Sequence, residues 1–261
     1  MIGRSQCKAT EQRSFQEILS DLDREKAWAK SILSRLEKSY GLPANAKILD
    51  LGAAAGSFVA VCHGFGHKAI GVEPWQEARE NASRLSEHLR IPIEVLAGRA
   101  ESIPCSSDTF DLVHASGVIE HVEDLEKTFA EVRRVLRPGG AFWFNPASSM
   151  SPFQNEIRGF PLFGWYPDPW KRRIMSWVKD ARPHLVGHTR TPAMHWFTPS
   201  KARRLFGKNR FSQVYDRWEL RGESEGQGVY RFALRLIRPN RATKTCADIL
   251  VPGCSYAGIK A

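Results

Sequence analysis

The sequence predicts an α/β protein built on a mostly parallel sheet with helices on both faces. Three observations carry this expectation. Apolar strand-like runs alternate with helical ones from residue 47 to about residue 145, and parallel neighbours require such crossovers. The first run, 47–51, passes into a small-residue turn, Gly52-Ala53-Ala54-Ala55-Gly56. About 20 residues later a second run ends on an acid, Gly71-Val72-Glu73.

In chain order, residues 11–40 read as one or two amphipathic helices. Phe15, Ile18, Leu19 and Leu22 recur at helical spacing, followed by Trp28, Ile32, Leu33 and Leu36, until Gly41-Leu42-Pro43 stops the pattern. Strand 47–51, helix 56–64, strand 68–72, helix 74–89, strands 92–96 and 110–114, helix 124–136 and strand 140–145 follow. Residues 146–197 are too long for a plain connection and interleave aromatic with basic side chains. Within them Asp168-Pro169 starts a helix that places Trp170, Ile174, Trp177 and Val178 on one side and basic residues on the other. Thr198-Pro199-Ser200 starts another helix, to about residue 206. Two runs, 212–220 and 229–237, joined by a Gly-rich loop, read as a closing hairpin with an antiparallel final strand. From Pro239 onward no periodicity is visible. The expected organisation is thus a helical segment over 1–43, a ligand-binding domain over 44–146 and 198–238, an insertion over 147–197, and an irregular tail over 239–261.

The turn and the acid together read as a nucleotide-type cofactor site. Small residues let backbone approach a ligand, the following helix offers free N–H groups, and a carboxylate past the second strand accepts ribose hydroxyls. Asp50-x-Gly52-x-Ala54-x-Gly56 resembles the first motif of the class I S-adenosylmethionine-dependent methyltransferases, usually acidic-x-Gly-x-Gly-x-Gly. Ala54 takes the middle glycine position, which is tolerable if its φ stays negative. Ala97-Gly98-Arg99-Ala100-Glu101-Ser102-Ile103-Pro104, the segment 107–122 and Arg134-Val135-Leu136-Arg137-Pro138-Gly139-Gly140 resemble three further family motifs in the right order. The resemblance implies a doubly wound, Rossmann-like sheet of seven strands in the order 3-2-1-4-5-7-6.

It also implies S-adenosylmethionine as cofactor. Asp50, Gly52, Ala54 and Gly56 would surround its methionine part, Glu73 would take the ribose, and Arg99 with Ala100 would border adenine. Arg99 departs from the family's usual Asp and has no acceptor for the adenine amino group. His114 and Ala115 would lie at the fourth strand's end, against the sulfonium. Glu120-His121 resembles a pair in ubiquinone-type O-methyltransferases, where an acid three residues upstream helps bind a divalent metal. Here that position is Gly117, so no metal is expected. His121 and His195 are the candidate general bases, with weaker claims for His184 and His188.

Composition bounds the partners. Of 261 residues, 42% are hydrophobic and 25% charged, an ordinary globular balance. Residues 1–150 hold 18 Lys+Arg against 20 Asp+Glu, while residues 151–261 hold 20 against 8, a net +12. That asymmetry suits an acidic or amphipathic acceptor, an anionic membrane surface or nucleic acid. Cys7, Cys62, Cys105, Cys246 and Cys254 are widely spaced and form no metal or disulfide pattern. With no apolar run long enough to span a bilayer and no secretory leader pattern, the expected location is cytoplasmic, with contact at the inner membrane face an option. The leading function is methylation of a small-molecule, lipid or glycan acceptor, with oxygen favoured. RNA methylation and a non-catalytic binding protein are the alternatives. Asn145-Pro146-Ala147-Ser148 is similar to the Asn-Pro-Pro-aromatic motif of amino-methylating enzymes, but it follows strand 5 instead of strand 4.

Overall fold

The computed structural model describes residues 14–153, 156–186, 191–221 and 229–261. Cys7, His188 and Arg190 lie outside them. Helix α1, Phe15–Tyr40, is a single helix opened by a reciprocal Ser14–Glu17 capping box and closed by a left-handed Gly41. The alternation then proceeds as β1 (Lys47–Leu51), α2 (Ser57–Gly64), β2 (Lys68–Glu73), α3 (Gln76–Leu89), β3 (Val95–Ala97), β4 (Phe110–Ser116), α4 (Leu125–Val135) and β5 (Leu136–Asn145). Asp124 caps α4 by accepting from Lys127 N at 3.0 Å. Beyond β5 come α5 (Asp168–Ala181), α6 (Pro199–Lys208), β6 (Phe211–Asp216), α7 (Val229–Ile237), α8 (Arg241–Leu250) and β7 (Tyr256–Lys260).

The sheet has the order β3-β2-β1-β4-β5-β7-β6, with β7 antiparallel to both neighbours and the other pairings parallel. Because side chains alternate across a strand, the sheet feeds two cores. On one face Ile48, Leu112 and Ala141 pack under α1 and α2, where Ala29, Ile32, Leu33, Leu36 and Val59 are buried. On the other, Leu49, Val113, Phe142 and Phe144 pack against Phe129 and Val132 of α4 and Phe206 of α6. Helix α1 is therefore part of the core on one sheet face.

The third strand and the chain's end differ from expectation. Strand β3 lies at 95–97, instead of 92–96. Residues 229–237, expected as the last strand, form helix α7, and the expected irregular tail over 239–261 holds α8 and β7. The alternation in Tyr230-Arg231-Phe232-Ala233-Leu234-Arg235 also fits a helix, in which Leu234 is buried against Trp218 and Ala247 with Ile237 beside them. The seventh strand, Tyr256–Lys260, lacks an apolar alternation in sequence because Ala257 and Gly258 have little bulk. Small residues are needed there, since a side chain at Gly258 would overlap the ring of Phe206.

The insertion after β5 closes on itself. Its ends meet through a bridge between Ser148 and Phe197, with Phe197 N donating to Ala147 O at 2.8 Å and Ser149 N to Phe197 O at 2.9 Å. Between them a small separate core gathers Ile157, Phe163, Met175, Val178, Val186 and Trp196.

Candidate functional site

The site is set by where β1, β2, β4 and β5 end. In a parallel sheet these carboxyl ends share one edge, and the loops beyond them form a crevice. After β1 the chain turns through Gly52 at φ 68°, Ala54 at φ 47° and Gly56 at φ 73°. Gly52 N and Ala53 N both donate to Val72 O, at 2.8 and 3.2 Å, which holds the loop against β2. A Cβ at Gly52 would overlap Val118 Cγ2, in the turn after β4, so the two loops touch at this point. Ala54 contradicts the expected negative φ. It occupies the left-handed region, a strain that only glycine escapes.

Glu73 ends β2 as a buried carboxylate, 5% exposed. Its Oε2 accepts from Ala54 N at 3.0 Å and its Oε1 from Trp75 N at 3.1 Å. Burial pushes its carboxyl above the usual range, and these two N–H donors hold it down in part. A carboxylate has about four acceptor sites. Glu73 thus ties the turn to the second strand and keeps capacity for a pair of hydroxyl donors. The donor set and the close-approach turn fit the ribose and methionine ends of S-adenosylmethionine.

Asp50 and His114 meet in a way that spacing did not indicate. They are register partners on β1 and β4, and both point to the α1 face. His114 Nδ1 lies 2.6 Å from Asp50 Oδ1. The imidazole is stacked between Phe58, at 3.8 Å between centroids, and Trp143, at 4.9 Å, with Trp28 of α1 edge-on at 5.4 Å. It is 1% exposed, and its Nε2 has no hydrogen-bond partner. Both residues are therefore built into the core beneath the crevice, and Asp50 holds the ring of His114. Ala115 turns its side chain to the opposite core, so only its backbone remains at the strand's end.

Arg99 points outward. It pairs with Glu123 at 2.7 Å and reaches Glu101 at 3.9 Å, while Ala100 beside it is buried. The pairing ties the loop after β3 to the turn before α4, which Glu123 N reinforces by donating to Glu101 Oε1 at 2.8 Å. Asn145 is likewise structural, its Oδ1 accepting from Gly117 N at 3.1 Å.

Both candidate bases sit on one seam. Met194 N and His195 N donate to Glu120 O at 2.7 and 3.1 Å, stitching the insertion's last strap to the turn after β4. The ring of His121 bonds to the backbone of Pro192 and Thr191 in that strap, and burial lowers its pKa against the effect of those bonds. His195 Nε2 lies 3.0 Å from Val122 O. A carbonyl only accepts, so Nε2 carries the hydrogen and Nδ1 keeps its lone pair. Burial first, then the positive charges of Lys201 and Arg172, lowers the His195 pKa to about 4. His184 is exposed. Among the described residues no cluster of His, Cys, Asp and Glu is arranged to hold a metal ion. The sequence missed Trp28, Phe58 and Trp143 as partners of His114, since nothing in spacing along the chain announces a stack assembled from four elements.

The family model described as a methyltransferase domain matches residues 49–144. The methyltransferase YcgJ of Bacillus subtilis is 31% identical over 111 residues, 42% of this chain and 44% of that protein. Its crystal structure superposes with a TM-score of 0.53 at 19% identity, covering 88% of this chain and 98% of that one. A ubiquinone biosynthesis O-methyltransferase of Methylobacterium sp. (strain 4-46) is 27% identical over 138 residues, 52% of this chain and 54% of that protein. The geranyl diphosphate C-methyltransferase of Streptomyces coelicolor A3(2), solved with Mg2+, geranyl diphosphate and S-adenosyl-L-homocysteine, superposes with a TM-score of 0.57 at 16% identity, covering 100% of this chain and 92% of that one. The chain thus spans about half the length, or less, of the curated relatives it matches, and the structural likeness shows the fold. Over residues 49–144 the chain is similar to methyltransferase domains.

Proposed function

We propose that the protein transfers a methyl group from S-adenosylmethionine to a small-molecule, lipid or glycan acceptor, with an oxygen as the favoured target. The observation that carries this reading is the Glu73 carboxylate, buried at the end of β2 and bonded to the backbone of the positive-φ turn after β1. The cofactor supplies the reactivity as a sulfonium, so the protein's task is alignment and, for a hydroxyl acceptor, proton removal. Glu73 orients the ribose, and the 52–56 loop surrounds the methionine part. Val118, pressed on Gly52, closes the wall between the turns after β1 and β4.

His195 is our choice of base, because its Nε2 hydrogen is committed to Val122 O, which fixes the tautomer and leaves the lone pair on Nδ1. The bound cofactor would supply an electrophilic methyl group, and His195 Nδ1 would take the proton of an acceptor hydroxyl as that oxygen is methylated. Gly117 in place of an acid supports a reaction without a divalent metal. The aromatic and basic insertion supports an amphipathic, acidic acceptor, since aromatic faces offer apolar area and arginines pair with carboxylate or phosphate. The reading places the protein in the cytoplasm.

The test is incubation with methyl-labelled cofactor and fractionated extract, followed by mass analysis of what gains a methyl group. Label in a small acidic or amphipathic molecule supports the reading. Label in RNA would replace it, and failure of the protein to bind the cofactor would leave a non-catalytic binding protein.

A further inference from the structure

We infer that the outer face of α5 docks on an anionic phospholipid bilayer. The helix turns Lys171, Met175 and Val178 inward, where they complete the insertion's own core. Trp170 and Trp177 are seven residues apart, nearly two full turns, and so share one side of the helix. They remain 67% and 52% exposed, and Trp165, just before the helix, is 54% exposed. Arg173, between the two tryptophans, is exposed as well. Three tryptophans left in water over so short a stretch mark an interaction surface. Tryptophan favours the boundary between water and hydrocarbon, where its ring is buried and its N–H stays wet.

Charge and topology identify the occupant. Among the described residues of the insertion Arg158, Arg172, Arg173, Lys179 and Arg182 are exposed against a single exposed acid, Asp180, so its surface is positive, as anionic headgroups require. The insertion leaves the carboxyl end of β5, which runs parallel to β4 and β1, so it emerges at the sheet edge that carries the cofactor loop. Helices α7 and α8 follow β6, which is parallel to β5 because both are antiparallel to β7. They leave from that same edge, and Cys254 Sγ lies 3.3 Å from Pro146 O where the two segments meet. Helix α7 adds two more exposed apolar side chains one turn apart, Phe232 and Leu236. Such exposed aliphatic and aromatic area suits lipid; single-stranded nucleic acid calls for a charged groove that tracks its backbone. No helix of the described residues is long and apolar enough to cross a bilayer, which leaves contact within the interface. The docked protein would face its cofactor crevice toward an amphipathic acceptor lying in the membrane.

The experiment is cosedimentation of the full chain with vesicles of phosphatidylcholine alone and of phosphatidylcholine with about one third phosphatidylglycerol, with a single-stranded RNA in parallel. The expected result is binding to the anionic vesicles and much weaker binding to the neutral ones. Trp170→Ala with Trp177→Ala should lower vesicle partitioning roughly ten-fold or more. Arg173→Gln, on the side of the tryptophans, should lower it about five-fold on the anionic vesicles. Unchanged thermal unfolding and cofactor affinity in these variants would show that the folded domain is intact. Equal absence of binding to both vesicles, wild-type partitioning of the tryptophan variant, or salt-sensitive RNA binding lost with the same tryptophans would overturn the inference. The assay needs neither acceptor nor turnover, so its failure leaves the methyl-transfer reading standing.

Discussion

Replacing Gly52 by Ala tests the contact between the turns after β1 and β4, and its cost has two separable sources. The first is conformational. Gly52 sits at φ 68°, where an L-residue costs roughly 1–2 kcal/mol. The second is steric, since the new Cβ would overlap Val118 Cγ2 and stand 3.5 Å from Val118 Cβ and Cγ1. Overpacking of this kind typically costs about 1–3 kcal/mol. Gly52→Ala should therefore lose roughly 2–5 kcal/mol, a large share of the 5–15 kcal/mol available to a typical domain. Only the steric part depends on Val118. In a double-mutant cycle with Val118→Ala, the pair should be more stable than additivity predicts by about 1–3 kcal/mol, while the conformational cost persists. Urea unfolding of the four proteins, followed by circular dichroism, measures each quantity. A single variant within about 0.5 kcal/mol of wild type, or strictly additive effects, would refute the contact and the loop geometry with it.

Three further outcomes follow from the same region. Ala54→Gly relieves a left-handed alanine at φ 47° and should raise stability by roughly 0.5–1 kcal/mol after glycine's own entropic cost, seen as a rise of about 2 °C in thermal unfolding. His195, with its folded pKa lowered to about 4, takes up its proton in the unfolded chain first as pH falls. Its contribution to stability is complete above the unfolded value near 6.5 and is lost as pH falls toward about 4, so His195→Asn should flatten the change in urea midpoint between pH 7 and pH 5. Turnover should be the same with and without a strong chelator; loss on chelation and recovery with magnesium would remove the metal-free mechanism.

The alternation of strands and helices was legible from local periodicity, while the order of the strands came with the resemblance; Glu73 was legible as an acid at a fixed distance from a small-residue turn, and the structure bonds it to that turn. The cofactor loop's backbone was not. Ala54 is read from sequence as a residue that avoids positive φ, yet its N–H bond to Glu73 and the fixed ends at Gly52 and Gly56 hold it there. The burial of Asp50 and His114 was hidden for another reason. Their pairing joins residues 64 apart and becomes visible only once β1 and β4 lie in register. Helix α7 was misread because alternating apolar and basic residues satisfy both periods, and tertiary burial of Leu234 decides between them.

The most direct test of the account is calorimetric titration of S-adenosylmethionine into the wild-type protein and into Glu73→Gln. Glutamine keeps the length of the side chain but replaces one acceptor oxygen by a donor, so it cannot both satisfy the N–H groups of Ala54 and Trp75 and accept two ribose hydroxyls. Wild-type binding should be saturable and should weaken by about 1–3 kcal/mol in the variant, a loss on the order of ten- to a hundred-fold. Equal affinity of the two proteins, or no binding by the wild type, would contradict it.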